Sequence, residues 1–190
     1  TLERLESGDT VAVYDLGGGT FDAALLRKTA HGFEHLGQPE GIERLGGIDF
    51  DAAVFAHAQR GLGGSLDDLD SDEPTVLAAL ARLRSDCSEA KEALSVDSDT
   101  SLPVLLPNVS TEVRLTRGEF ESMIRPALGD SLDALRRALR SAEVSVDEVS
   151  VVLLVGGSSR IPLVAQLVSA ELGRPVAVDA VVGDLDDVLV

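Results

Sequence analysis

The sequence predicts an α/β fold with a smaller α+β insert, and three observations predict it. The apolar run Val11-Ala12-Val13-Tyr14 is followed almost at once by the glycine turn Gly17-Gly18-Gly19. Far along the chain a second apolar run, Ser150 to Val155, leads into Gly156-Gly157 and then a helical pattern. Between them, residues 74–94 place apolar or small side chains at 76, 80, 83, 87, 90 and 94, the seam of a long amphipathic helix. A strand, a glycine turn and a helix N-terminus in succession form a ligand edge in α/β sheets.

Each element follows from its local pattern. Residues 10–15 read as a buried strand and 20–27 as its antiparallel neighbour across the glycine turn, with a third strand around 32–38. Leu45-Gly46-Gly47 leads into a helix over 48–59, where Phe50, Val54, Phe55 and Ala58 recur near i, i+3, i+4. The Gly/Asp/Ser stretch 61–73 reads as a loop and a boundary. Pro74 suits the first turn of the next helix. Segments 102–106 and 112–115 form a hairpin around Pro107-Asn108, and Thr116-Arg117-Gly118-Glu119 is a capping box. The helix it opens runs through Phe120, Ile124, Leu128, Leu132, Leu135 and Leu139, with Pro126 expected to break it in two. Residues 150–155 are apolar as a doubly covered strand should be, and 156–162 open a final helix to about Leu172. The layer is thus expected over 1–60 and 116–190, and the insert over 61–115.

Composition limits the partners. The 190-residue chain can bury a sizeable core, mostly of Val, Leu and Ala, since 44% of it is hydrophobic and only 3% aromatic. Net charge is −17, so nucleic acid and anionic membrane would be repelled. No apolar run reaches the roughly 20 residues of a membrane span. The one cysteine, Cys87, cannot form an internal disulfide, and the reducing cytoplasm is the expected compartment. Cys87 lies on a helix seam and reads as a packed small hydrophobe, while His31, His35 and His57 lack metal-ligand spacing. The run Asp67, Asp68, Asp70, Asp72 and Glu73 reads as a solvated loop and helix start. The chain begins at Thr1 with a strand close behind, as a piece of a longer protein would.

The first glycine turn carries the chemistry. Its backbone can approach a ligand closely and aim N–H groups at phosphate oxygens, and the flanking Asp15 and Asp22 offer hard oxygens to Mg²⁺. Alone, the same residues serve equally as a tight β-hairpin turn.

DLGGGTFD at 15–22, LGGIDFD at 45–51, RLRSDCSEAKEALS at 82–95, LTRGEFE at 115–121 and VLLVGGSSRIP at 152–162 occur here in that order. With them the chain resembles the actin-like ATPase superfamily, of ribonuclease H-like fold. Within that superfamily it resembles the second lobe (subdomains IIA and IIB) of the nucleotide-binding domain of the DnaK-type heat-shock chaperones, the heat shock protein 70 family. The resemblance covers about Thr10 to Val178. It implies an ATP/ADP site with Mg²⁺, and K⁺ as a second candidate cation. Asp15 would sit near the metal and the attacking water, with Asp15 and Thr20 the catalytic candidates and Asp22 supporting the metal shell. Gly17, Gly18, Gly19 and Thr20 would hold the β- and γ-phosphates. Gly46 and Gly47 would line the ribose and phosphate side, Lys91 would reach the ribose and Ser95 the adenine. Gly156, Gly157, Ser158 and Arg160 would form the adenosine wall, with Arg160 stacking on the base. Read from its own helix, crowded with Glu89 and Glu92, Lys91 is a solvated side chain instead.

Departures from the family concentrate on the adenosine side. Ile48 stands where the family usually has Glu, Ser88 where the chaperones have a ribose-binding Glu, and Glu92 where they have an adenine-stacking Arg. The residues from Asp179 on lack the Pro-Asp-Glu-Ala helix start that closes the family's site. The first lobe, with its own phosphate loop and catalytic lysine, and the peptide-binding domain are not in this sequence. The expected parent is therefore a chaperone ATPase, while this segment alone is not expected to turn over ATP. Expected partners are nucleotide, the first lobe, and a nucleotide exchange factor or client protein. The alternative is a pseudo-ATPase scaffold or regulatory interaction module with weakened adenine recognition.

Overall fold

The computed structural model describes residues 5–63, 73–107 and 109–178. The acidic residues Asp67 to Asp72, Asn108 and the segment from Asp179 onward lie outside the described residues. The elements are β1 (Thr10–Leu16), β2 (Phe21–Thr29), β3 (Gly32–Ile42), α1 (Gly47–Gly61), α2 (Pro74–Ala93), β4 (Asp99–Leu106), β5 (Val109–Thr116), α3 (Arg117–Ser141), β6 (Val149–Val155), α4 (Pro162–Leu172) and β7 (Val176–Val178). They divide into two compact units: Thr1–Gly47 with Ala127–Val190, and Ile48–Pro126. Positions 61 and 115, where composition suggested the insert begins and ends, both fall inside the second unit.

The first unit is built on a five-stranded sheet of order β3-β2-β1-β6-β7. β1 pairs antiparallel with β2 and parallel with β6, so the sheet changes character at β1. Val11, Ala12, Val13 and Tyr14 are almost wholly buried, as a strand inside a sheet covered on both faces requires. Val11, Val13, Leu26 and Leu153 form one core cluster. The Tyr14 and Phe21 rings meet edge to face at 4.6 Å. β3, mostly exposed and carrying Glu34, His35 and Glu40, closes one margin of the sheet, where charge discourages further strand pairing.

β6 does not run straight into a helix. Gly157–Arg160 form a 3₁₀ turn, and α4 begins only at Pro162. Pro162 fixes the first helical position, and the residue before a proline is pushed toward extended geometry, as Ile161 is at φ −62°, ψ 122°. α4 ends at Gly173 in the left-handed region at φ 60°. The chain then returns as β7, a three-residue strand too short to show a period in sequence.

In the second unit, β4 and β5 form the expected hairpin, in register from Asp99↔Thr116 to Leu106↔Val109. α2 packs on β4 and buries Val76, Leu83, Cys87 and Ala90, with Leu94 just beyond its end. The capping box is present: Glu119 Oε2 accepts from the Thr116 N–H at 2.9 Å, and the Glu119 N–H donates to Thr116 Oγ1 at 3.2 Å.

The expected break at Pro126 does not occur, because α3 continues through it. A proline leaves the carbonyl four residues earlier without its donor. That residue is Ser122, and both Ser122 and Pro126 are exposed, so water can solvate the orphan carbonyl. Ile124 and Leu128 are buried and hold the helix on either side.

Candidate functional site

Gly17 to Thr20 link β1 to β2, and the Gly17 N–H donates to the Thr20 carbonyl at 3.0 Å, closing the turn. The hairpin reading and the ligand reading of this turn are thus compatible, since it is a hairpin turn with glycine at three of its four positions, 17, 18 and 19. Asp15 and Asp22 are register partners on either side of it. Burial, and then the Asp22 carboxylate, push the Asp15 carboxyl above the ordinary carboxylate range. Asp22 is exposed, and on its other side a Cβ at Gly41 would stand 2.9 Å from its Oδ1.

Two distant glycine segments pack on this turn. From one side, the Leu45 N–H donates to the Gly19 carbonyl at 3.3 Å and the Gly47 N–H to the Gly17 carbonyl at 3.1 Å. Between them, a Cβ on Gly46 would lie 2.6 Å from the Gly19 nitrogen, so only glycine fits. From the other side, Gly156 adopts φ 85°, and a Cβ there would lie 2.6 Å from Asp15 Oδ1. Next to it, the Ser158 hydroxyl donates to the Gly17 carbonyl at 2.9 Å. Ser158 and Ser159 are buried, and the Ser159 hydroxyl donates to the Val155 carbonyl, which ties down the 3₁₀ turn. Arg160 ends that turn and is exposed.

Over the turn there is room. A Cβ on Gly18 or on Gly157 would meet nothing within 4 Å. The first unit therefore brings together Asp15, Gly17, Gly18, Gly19, Thr20, Asp22, Gly46, Gly47, Gly156, Gly157, Ser158 and Arg160. The hydrogen bond from Ser158 to Gly17 was not legible in sequence, because its partners lie 141 residues apart.

Lys91 and Ser95 belong to the second unit. Lys91 is not a solvated side chain: it is 12% exposed, with Nζ 2.8 Å from Asp51 Oδ1. Asp51 had no signal of its own in sequence beyond its place in the LGGIDFD motif. Ser95 follows α2, and its N–H donates to the Glu92 carbonyl at 3.0 Å, while the Glu92 side chain is exposed. Ile48, Asp51, Ala52 and Phe55 of α1 and Arg84 of α2 line a cleft of about 320 Å³, with the Arg84 guanidinium 5.2 Å from the Phe55 ring centre.

Other reactive groups have structural settings. Cys87 is buried, and burial pushes its thiol up to about 11, far from a nucleophile's range. His57 Nε2 lies 3.0 Å from the Arg114 carbonyl. Among the described residues, no group of three or more His, Cys, Asp or Glu could hold a metal ion. Among them too, no helix is long and apolar enough to cross a membrane.

Three antiparallel strands extended by two parallel ones, with glycine turns leaving the same end of the adjacent strands β1 and β6, define an actin-like ATPase lobe of ribonuclease H-like topology. The family model described as Hsp70 protein matches residues 2–183, and the chain belongs to that family. It is 45% identical over 166 residues to a chaperone protein HscA homolog of Pseudomonas putida, an alignment covering 86% of this chain and 24% of the relative. It is 39% identical over 172 residues to the HscA homolog of Methylibium petroleiphilum, covering 90% and 26%. With the HscA homolog of Bordetella pertussis it shares 40% over 163 residues, covering 85% and 25%. The chain spans about a quarter of the length of these curated relatives.

Proposed function

We propose that this chain is the nucleotide-binding half of a chaperone ATPase, taking the phosphates of ATP or ADP on the turn at 15–22 and the adenosine side near 156–160. The observation that carries this reading is the convergence of 45–47 and 156–158 on Gly17 to Gly19, with open space above Gly18 and Gly157. Backbone N–H groups without side chains in front of them suit phosphate oxygens.

The residues present fit Mg²⁺. Asp15 and Asp22 place two carboxylates on facing register positions, and Asp15 is held in an environment that disfavours its charge without a cation nearby. They would hold the ion directly or through water, and it would supply charge neutralisation for the phosphates. K⁺ is a second candidate for the same oxygen-rich place. Thr20, exposed at the end of the turn, would contact the terminal phosphate.

Hydrolysis of ATP to ADP and phosphate would belong to the whole protein, with the catalytic lysine supplied by its first lobe. Lobe closure around nucleotide, an exchange factor and a client protein complete this reading, with the cytoplasm as its compartment.

Calorimetric titration of MgADP into the 190-residue chain tests the proposal. Saturable binding that weakens when Mg²⁺ is chelated supports it. Absence of binding, when the same chain joined to its first lobe is also silent, overturns it.

A further inference from the structure

We propose that Ser158 is a positioning residue for the phosphate turn, orienting the Gly17–Gly18 peptide, and not a contact of the adenosine wall. The inference deepens the nucleotide reading of this site and rests on it. Three hydrogen bonds converge on Gly17. Its N–H donates to the Thr20 carbonyl at 3.0 Å, and its carbonyl accepts from the Gly47 N–H at 3.1 Å and from Ser158 Oγ at 2.9 Å. A carbonyl oxygen has two lone pairs, so both are taken.

In a trans peptide the C=O and the following N–H point to opposite sides. Fixing the Gly17 carbonyl toward the Gly47 N–H and the Ser158 hydroxyl therefore aims the Gly18 N–H away from those two donors. No atom within 4 Å would meet a Cβ on Gly18, so the surroundings of that residue leave space for a ligand. With glycine on both sides of this peptide, flipping it meets little steric resistance from the residues themselves. Orientation must come from the partners of the carbonyl.

Ser158 is suited to that task by its setting. It is 8% exposed and sits in the 3₁₀ turn Gly157–Arg160, where its own carbonyl accepts from the Ile161 N–H at 3.2 Å. Gly156, at φ 85°, brings this segment against Asp15 and Leu16, where any side chain would collide. The hydroxyl thus reaches the Gly17 carbonyl from a rigid platform. A hydroxyl already donating to backbone has only acceptor capacity left for a ligand.

The two roles separate by ligand. A residue of the adenosine wall matters equally to adenosine and to MgADP, whereas a residue that orients the phosphate turn matters only to the ligand with phosphates. Calorimetry on the 190-residue chain with MgADP and with adenosine makes the comparison for Ser158→Ala, Ser158→Thr and Ser158→Cys. Loss of one such hydrogen bond should weaken MgADP about tenfold in Ser158→Ala while adenosine changes by less than about twofold. Ser158→Thr, which keeps the donor, should restore MgADP binding, and Ser158→Cys, a weak donor of similar size, should fall between. Equal losses for both ligands, or no loss for MgADP, overturn the proposal.

A measurement without nucleotide keeps this outcome separate from the fate of the nucleotide reading. In Ser158→Ala the Gly47 amide, which shares the Gly17 carbonyl, should exchange its hydrogen about five- to tenfold faster, while the amides of α4 keep their rates. An unchanged Gly47 rate overturns the positioning role even if MgADP binds. If wild-type chain binds no MgADP either alone or joined to its first lobe, the nucleotide reading fails, and the exchange rates alone decide whether Ser158 orients the turn.

Discussion

Gly46 lies against the Gly18–Gly19 backbone so closely that a Cβ on it would stand 2.6 Å from the Gly19 nitrogen and 2.8 Å from the Gly18 oxygen. Both neighbours are backbone, so neither can swing aside as a side-chain tip could. Gly46→Ala is expected to displace the turn and to cost about 1–3 kcal/mol of stability, the usual range for forced overpacking. Urea denaturation measures it, and a change under about 0.5 kcal/mol would mean the turn yields freely.

Gly18 is the contrasting case. A Cβ there meets nothing within 4 Å, and its φ is not in the left-handed region, so Gly18→Ala should leave stability within about 0.5 kcal/mol of wild type. If the open space is where phosphate sits, the same methyl should weaken MgADP at least about tenfold. Full stability with full MgADP affinity would place the phosphates elsewhere.

The Tyr14 hydroxyl lies 2.5 Å from Ser131 Oγ, and burial pushes the phenol up to about 12. The unfolded phenol titrates near 10, so the stability that depends on neutral Tyr14 is complete below that pH. It is lost as pH rises through about 12, for a total of roughly 2–3 kcal/mol. Tyr14 is the sole tyrosine in the chain, so tyrosinate absorbance reports on it alone. The Ser131 hydroxyl spends its one hydrogen on the Leu128 carbonyl at 2.7 Å, so the phenol donates to Ser131 Oγ.

Pro126 sits on the exposed face of α3 without interrupting it. Pro126→Ala restores a donor for the Ser122 carbonyl and removes the ring clash, and should raise stability by about 1–2 kcal/mol, part of the roughly 3 kcal/mol that proline costs in a helix interior. A lowered urea midpoint would show that the helix needs the proline's geometry there.

Lys91 Nζ and Asp51 Oδ1 lie 2.8 Å apart with side chains 12% and 28% exposed, joining α1 to α2. Lys91→Met should cost about 1–2 kcal/mol, because it leaves a half-buried carboxylate uncompensated. The pair Lys91→Met with Asp51→Asn should recover most of that loss, and a double-mutant cycle without coupling would reduce the contact to a surface ion pair.

Much of the first unit was legible in sequence because its signals are local. β1 and β6 are continuous apolar runs and the turn at 17–19 has no side chains, while in the second unit the capping box at 116–119 uses side chains three residues apart. The departures from the local reading have physical causes as well. β7 is too short to carry a period, and the passage from β6 into α4 is set by Pro162. Pro126 reads as a breaker unless one knows that Ser122 faces water.

Sequence by itself determined most of the strands and helices, where the glycine turns fall, and which family the motifs belong to, since periodicity and turn chemistry act between near neighbours. Only the tertiary structure decided that β6 lies beside β1, that α1 beyond Gly47 groups with the second unit, that Asp51 holds Lys91, and that Ser158 reaches Gly17. Those relationships join residues tens to more than a hundred positions apart, and such pairings arise from how buried faces pack, which no local pattern records.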